Sequence, residues 1–169
     1  MAESDINATA AAVLGLLHDG AMTGGQLMAA AEKRLGSYWS MTRSQVYREL
    51  PVLASLGYVK AGKPGQRSSQ PYSITAAGKK AFSRWLEEDP GRELVRNPYA
   101  LRVAFGQALG TSATKLRREA ENYHTEALSE AREAAKEAKR DGDKMMASGL
   151  EYAVNYHKAA LTWLKTGTK

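Results

Sequence analysis

The chain has 169 residues, enough for one or two small domains that each bury a core. Its 43% hydrophobic and 25% charged residues are the balance of a globular protein, and the absence of cysteine excludes disulfides and thiolate metal or redox sites. The net charge of +6 is unevenly spread: residues 20–84 hold ten Lys or Arg against two acids, Glu32 and Glu49, whereas the rest of the chain holds fourteen basic and sixteen acidic residues. A local positive field attracts polyanions such as nucleic acid, although a solvated surface of mixed charge has the same composition.

The opening, MAESDINATAAAVLGLL, is acidic where a signal peptide is basic, and no apolar run approaches the roughly 18 residues that span a bilayer. The expectation is a cytoplasmic protein with no membrane association. A first helix is predicted over residues 8–18, with Ile6, Ala10, Val13, Leu14 and Leu17 on one face. Asp19-Gly20 ends it. Thr23 is the expected N-cap of a second helix over 24–35, with Leu27, Ala31 and Leu35 inward and Gly36 as its stop. Tyr38-Trp39 form an aromatic turn, and Trp39, like Trp85, is expected in the core.

Thr42 caps a third helix that begins MTRSQVYRELPVLASLG. Turning Val46, Leu50 and Leu53 inward puts Ser44 and Arg48 on the opposite side, with Gln45 and Tyr47 on the flanks. Small, polar, basic and phenolic groups together suit base edges and phosphates. Pro51 removes a backbone donor and should kink the helix, freeing the Tyr47 carbonyl. The spacing of Leu53 and Leu56 still predicts helix through Leu56, closed by Gly57. Residues 58–61 and 70–74 alternate like strands around the turn-rich GKPGQRSS, and Lys60, Lys63 and Arg67 make this ribbon basic. A helix able to enter a groove beside a basic hairpin able to lie on phosphates is the layout of a winged helix-turn-helix.

Thr75 caps a fourth helix over 76–88, with Ala81 and Trp85 inward, and EEDPGREL reads as a linker. Everything after it reads as helix. Residues 98–109 carry Leu101, Ala104, Phe105, Ala108 and Leu109 on one face. Thr111 or Ser112 caps a long helix to residue 140, with a seam of Leu116, Ala120, Tyr123, Ala127, Ala131, Ala134 and Ala138. After Asp141-Gly142 the last helix, 143–165, carries Met146, Leu150, Ala153, His157, Ala160 and Leu164 in a 4-3 heptad spacing. Such narrow, alanine-rich seams bury little alone and call for a second copy. The fold expected is mainly α: an α+β winged helix-turn-helix domain over 1–90, then an all-α dimerisation domain over 91–169 with long antiparallel helices.

AVLGLLHDG, MTGGQL, SYWSMTRSQVYREL leading into LASLGYV, and PYSITAAGKKAF together resemble the PadR family of bacterial transcriptional regulators. The segment ELVRNPYALRVAFGQAL and two long helices ending in YHKAALTWL resemble its longer subfamily, which has a multi-helix C-terminal dimerisation domain. The chain departs from the family's common pattern at Thr23-Gly24-Gly25, where His-Gly-Tyr is frequent, and at Pro51, where a basic or polar residue is frequent. The resemblance implies a homodimer that binds a pseudo-palindromic operator, usually represses, and is released by a small, often aromatic or hydrophobic effector. It also implies that Tyr47 meets the DNA backbone.

The DNA-contacting set expected is therefore Thr42, Arg43, Ser44, Gln45, Tyr47 and Arg48 on the helix, with Lys60, Lys63 and Arg67 on the wing; a solvated helix face and a free loop are the plainer readings. Thr42 is first of all a cap. Tyr99, Phe105, Tyr123, Tyr152, Tyr156 and Trp163 could line an effector pocket, though packing is the commoner use of such residues. His124, His157 and their acidic neighbours match no metal signature. No phosphate loop, nucleophile elbow or Cys/His pair is present, so neither an enzyme nor a cofactor is expected. A winged-helix protein-interaction adaptor and a constitutive DNA-binding protein without effector stay open as alternatives. In the switchable case, a ligand entering between the two domains would change the separation of the reading heads.

Overall fold

The computed structural model describes residues 6–36, 38–65, 69–92, 96–105 and 112–166. The chain divides into two units, Met1–Gly91 and Arg92–Lys169. In the first, α1 (Ala8–Leu16) starts at Asn7, whose side chain accepts a hydrogen bond from the Ala10 amide at 2.9 Å. Its sequence is apolar nearly all round, which is the pattern of a central helix. Accordingly Ala10, Ala11, Val13, Leu14 and Leu16 are all buried, with Ile6 before the helix and Leu17 after it. A 3-10 turn, Leu17–Asp19, leads to Gly20 at φ 134° and then to a two-residue strand, β1 (Met22–Thr23), which the residue pattern did not announce.

Thr23 and Gln26 close a capping box at the start of α2 (Gly24–Leu35), and Thr42 and Gln45 close another at the start of α3 (Arg43–Ser55). Leu27 and Ala31 from α2, and Val46, Leu50 and Leu53 from α3, pack into the core around α1, while Leu35 is half-buried against it. The helical assignment of α3 runs through Pro51. It ends one residue short of the expectation: Leu56 is the cap residue and is 44% exposed, because Gly57 turns the chain at φ 72° before Leu56 can rejoin the inward face.

The wing strands are β2 (Val59–Ala61) and β3 (Pro71–Ile74). They pair antiparallel, Val59 opposite Ile74 and Ala61 opposite Tyr72, and β1 adds to the other edge of β3 with Met22 opposite Tyr72. Helix α4 (Ala76–Glu87) follows at once, capped by Thr75. Ala81 is buried, and Phe82 and the half-buried Trp85 pack on the core with their rings 6.4 Å apart. Trp39 departs from the expectation. It sits in the connection between α2 and α3, which no element covers, and is 41% exposed.

The second unit holds α5 (Pro98–Ala104), α6 (Ser112–Arg140) and α7 (Lys144–Thr166). Gly142, at φ 78°, turns α6 back into α7. Ala138 clusters with Ala147, Ala135 with Leu150, and Ala131 and Leu128 with Ala153 and Val154, so the two long helices run antiparallel. The small alanine side chains allow close approach. The seam of α7 is the expected one, with Leu150, Ala153, His157 and Leu164 buried. That of α6 is Ala120, His124, Leu128, Ala131, Ala135 and Ala138. Tyr123, expected inward, is 54% exposed, because steps of four from Ala120 to Leu128 put His124 on the seam instead. Helix α5 buries no residue: Leu101 and Phe105 are 62% and 67% exposed, and Ala108 and Leu109 lie outside the described residues. The fold is mainly α, with one three-stranded antiparallel sheet.

Candidate nucleic-acid interface

Helix α3 separates its residues as its periodicity dictates. Val46, Leu50 and Leu53 face the core, while Thr42, Arg43, Ser44, Tyr47 and Arg48 are exposed and Gln45 is half-buried. The capping box consumes part of this polar set. Thr42 Oγ accepts from the Gln45 amide at 3.3 Å, and Gln45 Oε1 accepts from the Thr42 amide at 2.8 Å and from the Thr42 hydroxyl at 3.0 Å. Thr42 Oγ and Ser44 Oγ are also 3.1 Å apart. The carbonyl end of Gln45 is thus committed to the helix start, and its amide nitrogen is the end suited to an acceptor. Tyr47 keeps 52% exposure, and its ring lies over Gly24 at the start of α2. Arg48 is 69% exposed at its side chain.

Beside this face the wing presents Lys60 on β2 and Lys63 beyond it, both exposed; Arg67 lies outside the described residues. A groove of about 520 Å³ runs between Thr9, Tyr38, Trp39, Gln45 and Arg48. The half-exposed Trp39 therefore flanks the polar face of α3 rather than filling the core. Burial raises the Tyr38 hydroxyl's pKa above the ordinary phenol value, with Arg34 pulling the other way, so at neutral pH it is a hydrogen-bond donor.

One of the two acids of the basic region lies inward on α3. Glu49 is 5% exposed, its Oε1 accepting from Asn7 Nδ2 at 3.2 Å and lying 3.5 Å from an Arg48 guanidinium nitrogen. The signal was available: 46, 49, 50 and 53 follow the i, i+3, i+4, i+7 spacing of an inward face.

In the helical unit the six aromatic residues separate into two groups. Tyr99, Tyr123 and Tyr156 ring His124, with centroids 6.3, 5.0 and 5.9 Å from it. Tyr123 and Tyr156 also meet His157, at 6.1 and 5.1 Å. His124 and His157 are both 2% exposed, and their Nδ1 atoms lie 2.9 Å apart, so one neutral ring donates to the other. Burial pushes both imidazoles below their ordinary pKa, and His157 adds to the shift at His124. Phe105, Tyr152 and Trp163 do not join this group: Phe105 and Tyr152 are 67% and 52% exposed, and Trp163 is half-buried elsewhere on α7. Among the described residues no three His, Asp, Glu or Cys side chains gather as metal ligands, and no helix is long and apolar enough to cross a membrane.

Comparison with known proteins places this geometry. Residues 13–84 match the transcriptional regulator PadR-like family. The chain is 28% identical over 141 residues to the negative transcriptional regulator PadR of Bacillus subtilis, covering 81% of this chain and 74% of that one. The crystal structure of Bacillus subtilis PadR in complex with operator DNA superimposes with a TM-score of 0.79 at 23% identity, over 96% of this chain and 97% of the other. The same protein in complex with p-coumaric acid gives a TM-score of 0.60 at 25% identity, over 96% and 97% of the two chains. The matched span runs from within α1 to within α4 and so contains the whole of α3 and the wing; this part of the chain is a PadR-like transcriptional-regulator domain.

Proposed function

We propose that this regulator binds a pseudo-palindromic duplex operator as a homodimer, represses transcription from it, and is released by a small aromatic effector. The observation that carries the proposal is the exposed Ser44, Tyr47 and Arg48 face of a doubly capped helix beside the basic β2–β3 wing. A side chain such as Arg48 reads a guanine edge by two parallel hydrogen bonds, each good pair contributing about 1–3 kcal/mol of discrimination. Lys60, Lys63 and Arg67 supply the sequence-independent attraction to phosphates. The operator complex of the Bacillus subtilis protein supports the DNA partner, and its p-coumaric acid complex supports the effector.

Dimerisation is assigned to the helical unit. Leu101, Phe105, Met145 and Tyr152 expose large apolar surfaces there, which a second copy of the chain would cover. The effector site is assigned to Tyr99, Tyr123 and Tyr156 around the two imidazoles, where π faces and a polar pair would hold a planar ligand. The protein acts in the cytoplasm, on DNA.

Selection of the purified protein against random duplex DNA, with sequencing of the bound pool, tests the reading. An enriched inverted repeat is expected, and Arg48→Ala should erase preference at one position of each half-site while the dimer stays intact. A pool without enrichment at low and near-physiological salt refutes it and favours a protein-binding adaptor.

A further inference from the structure

Among the described residues Glu49 is the buried carboxylate, and it lies on the helix assigned to DNA. An acid there is costly on two counts. It repels phosphates, and burial of a charge without partners is strongly unfavourable. Its two partners account for its presence. Asn7 caps α1 with its Oδ1, which accepts from the Ala10 amide at 2.9 Å, and turns its Nδ2 to Glu49 Oε1 at 3.2 Å. The same Oε1 lies 3.5 Å from Arg48. One carboxylate oxygen therefore joins the fixed start of α1 to the exposed guanidinium of α3.

We propose that Glu49 is the positioning residue for Arg48 and thereby sets how sharply one base pair of the operator is read; the inference rests on the assignment of α3 as the DNA-reading helix. Adjacent residues on a helix point about 100° apart. Pairing with Glu49 draws the Arg48 fork back toward α1 and restricts the arc through which it swings. A guanidinium held near its reading position loses less freedom on docking. A phosphate off the held arc must draw the fork away from the carboxylate, whereas a guanine edge lying within that arc gains two aligned bonds with the pairing kept. The buried carboxylate thus favours the right base over an arbitrary backbone. Because Arg48 is largely in water, the effect is roughly threefold in discrimination rather than orders of magnitude.

The test is a double-mutant cycle on the full chain, using the duplex enriched by selection and a variant of it changed at the base pair whose preference Arg48→Ala erases. Glu49→Gln keeps the shape and an acceptor for Asn7 but removes the charge. It should lower the ratio of the two affinities about threefold, leave affinity for unrelated DNA unchanged or higher, and have no further effect in an Arg48→Ala background. Asn7→Ser keeps a capping oxygen and loses the Nδ2 amide that reaches Glu49. It should act in the same direction, again only when Arg48 is present, and it serves as the test if Glu49→Gln does not fold. An equal loss with and without Arg48, or no loss in either, overturns the role of Glu49 while leaving the DNA reading intact. A wild-type protein that enriches no duplex overturns the DNA reading, and this inference with it.

Discussion

Gly24→Ala separates the architecture of the helix-turn-helix from the DNA contact proposed for it. Gly24 is the first residue of α2, and a methyl carbon built on it stands 2.8 Å from Tyr47 Cζ, 3.0 Å from its hydroxyl oxygen and 3.1 Å from Cε1. Carbon atoms rest about 3.5–4.0 Å apart, so the ring tip must withdraw by roughly 0.7–1.2 Å. Tyr47 is 52% exposed and has room to do so. The cost to stability is that of an off-rotamer side chain, about 0.5–1.5 kcal/mol, and the better helix preference of Ala offsets up to about 1 kcal/mol of it. The folded state is therefore nearly as stable as before. A phenol-to-phosphate hydrogen bond tolerates far less, since its useful range is only about half an ångström wide. Its loss corresponds to about 1.5 kcal/mol, close to tenfold in affinity. Fluorescence anisotropy on the selected duplex, alongside thermal melts by circular dichroism, checks this. Gly24→Ala and Tyr47→Phe should each weaken binding by up to about tenfold, and the double variant should bind no worse than Tyr47→Phe. Wild-type affinity in Gly24→Ala, beside a real loss in Tyr47→Phe, would refute the claim that Gly24 sets the position of the phenol.

Gly78→Ala should be damaging where Gly25→Ala is harmless. A methyl on Gly78 would overlap the Tyr58 carbonyl oxygen, and that oxygen is held by the Thr75 amide and hydroxyl, so overpacking of about 2–3 kcal/mol and a melting temperature lower by about 10 °C are expected. A methyl on exposed Gly25 has only Thr23 Oγ, at 4.0 Å, within reach, and its melting temperature should hold or rise slightly. Lys63→Ala should weaken all duplexes about equally and reduce the salt slope by about one; relaxation at a single base position would instead make the wing a reader of sequence. Burial holds His124 and His157 below the ordinary imidazole pKa, so as the pH falls from about 7 the unfolded chain takes up protons before the folded one. Urea melts of the helical signal should then show stability that is full above the ordinary imidazole value and declines below it, and a His157→Gln variant should show a flatter profile; identical profiles would contradict the buried pair.

The elements that could be read from the residues are those in which local chemistry and burial agree. Thr23, Thr42 and Thr75 mark three helix starts because each precedes an apolar periodic run and its hydroxyl accepts from the third residue of the helix. Strand β1 was not legible, since two residues carry no periodicity and Met22 and Thr23 form a strand only because β3 offers an open edge. Trp39 misled for a related reason. A large aromatic side chain is driven inward only where an element covers it, and coverage is a tertiary fact. The α6 seam shows the limit of counting in heptads. With alanine at 120, 127, 131, 134, 135 and 138, two phases of the helix are almost equally apolar, and α7 selects the one that sets His124 opposite His157.

The polar face of α3 was legible because inward residues fix it by subtraction, and what subtraction leaves is still an overestimate of what is free to bind. Thr42 and the Gln45 carbonyl are occupied in holding the helix start, and the Ser44 hydroxyl is bonded to Thr42 Oγ, so the groups this cap leaves uncommitted are the Tyr47 phenol, the Arg48 guanidinium and the Gln45 amide nitrogen. Two of these meet residues that are not themselves on the surface: the Tyr47 ring lies against Gly24, and the Arg48 guanidinium lies 3.5 Å from the buried carboxylate of Glu49. Composition makes the region basic, which serves attraction to any duplex. Selectivity depends on fixing a few groups to within a fraction of an ångström, and on the proposed reading that task falls to a glycine and an acid, residue types that carry neither the positive charge nor the ring by which a DNA contact is usually recognised.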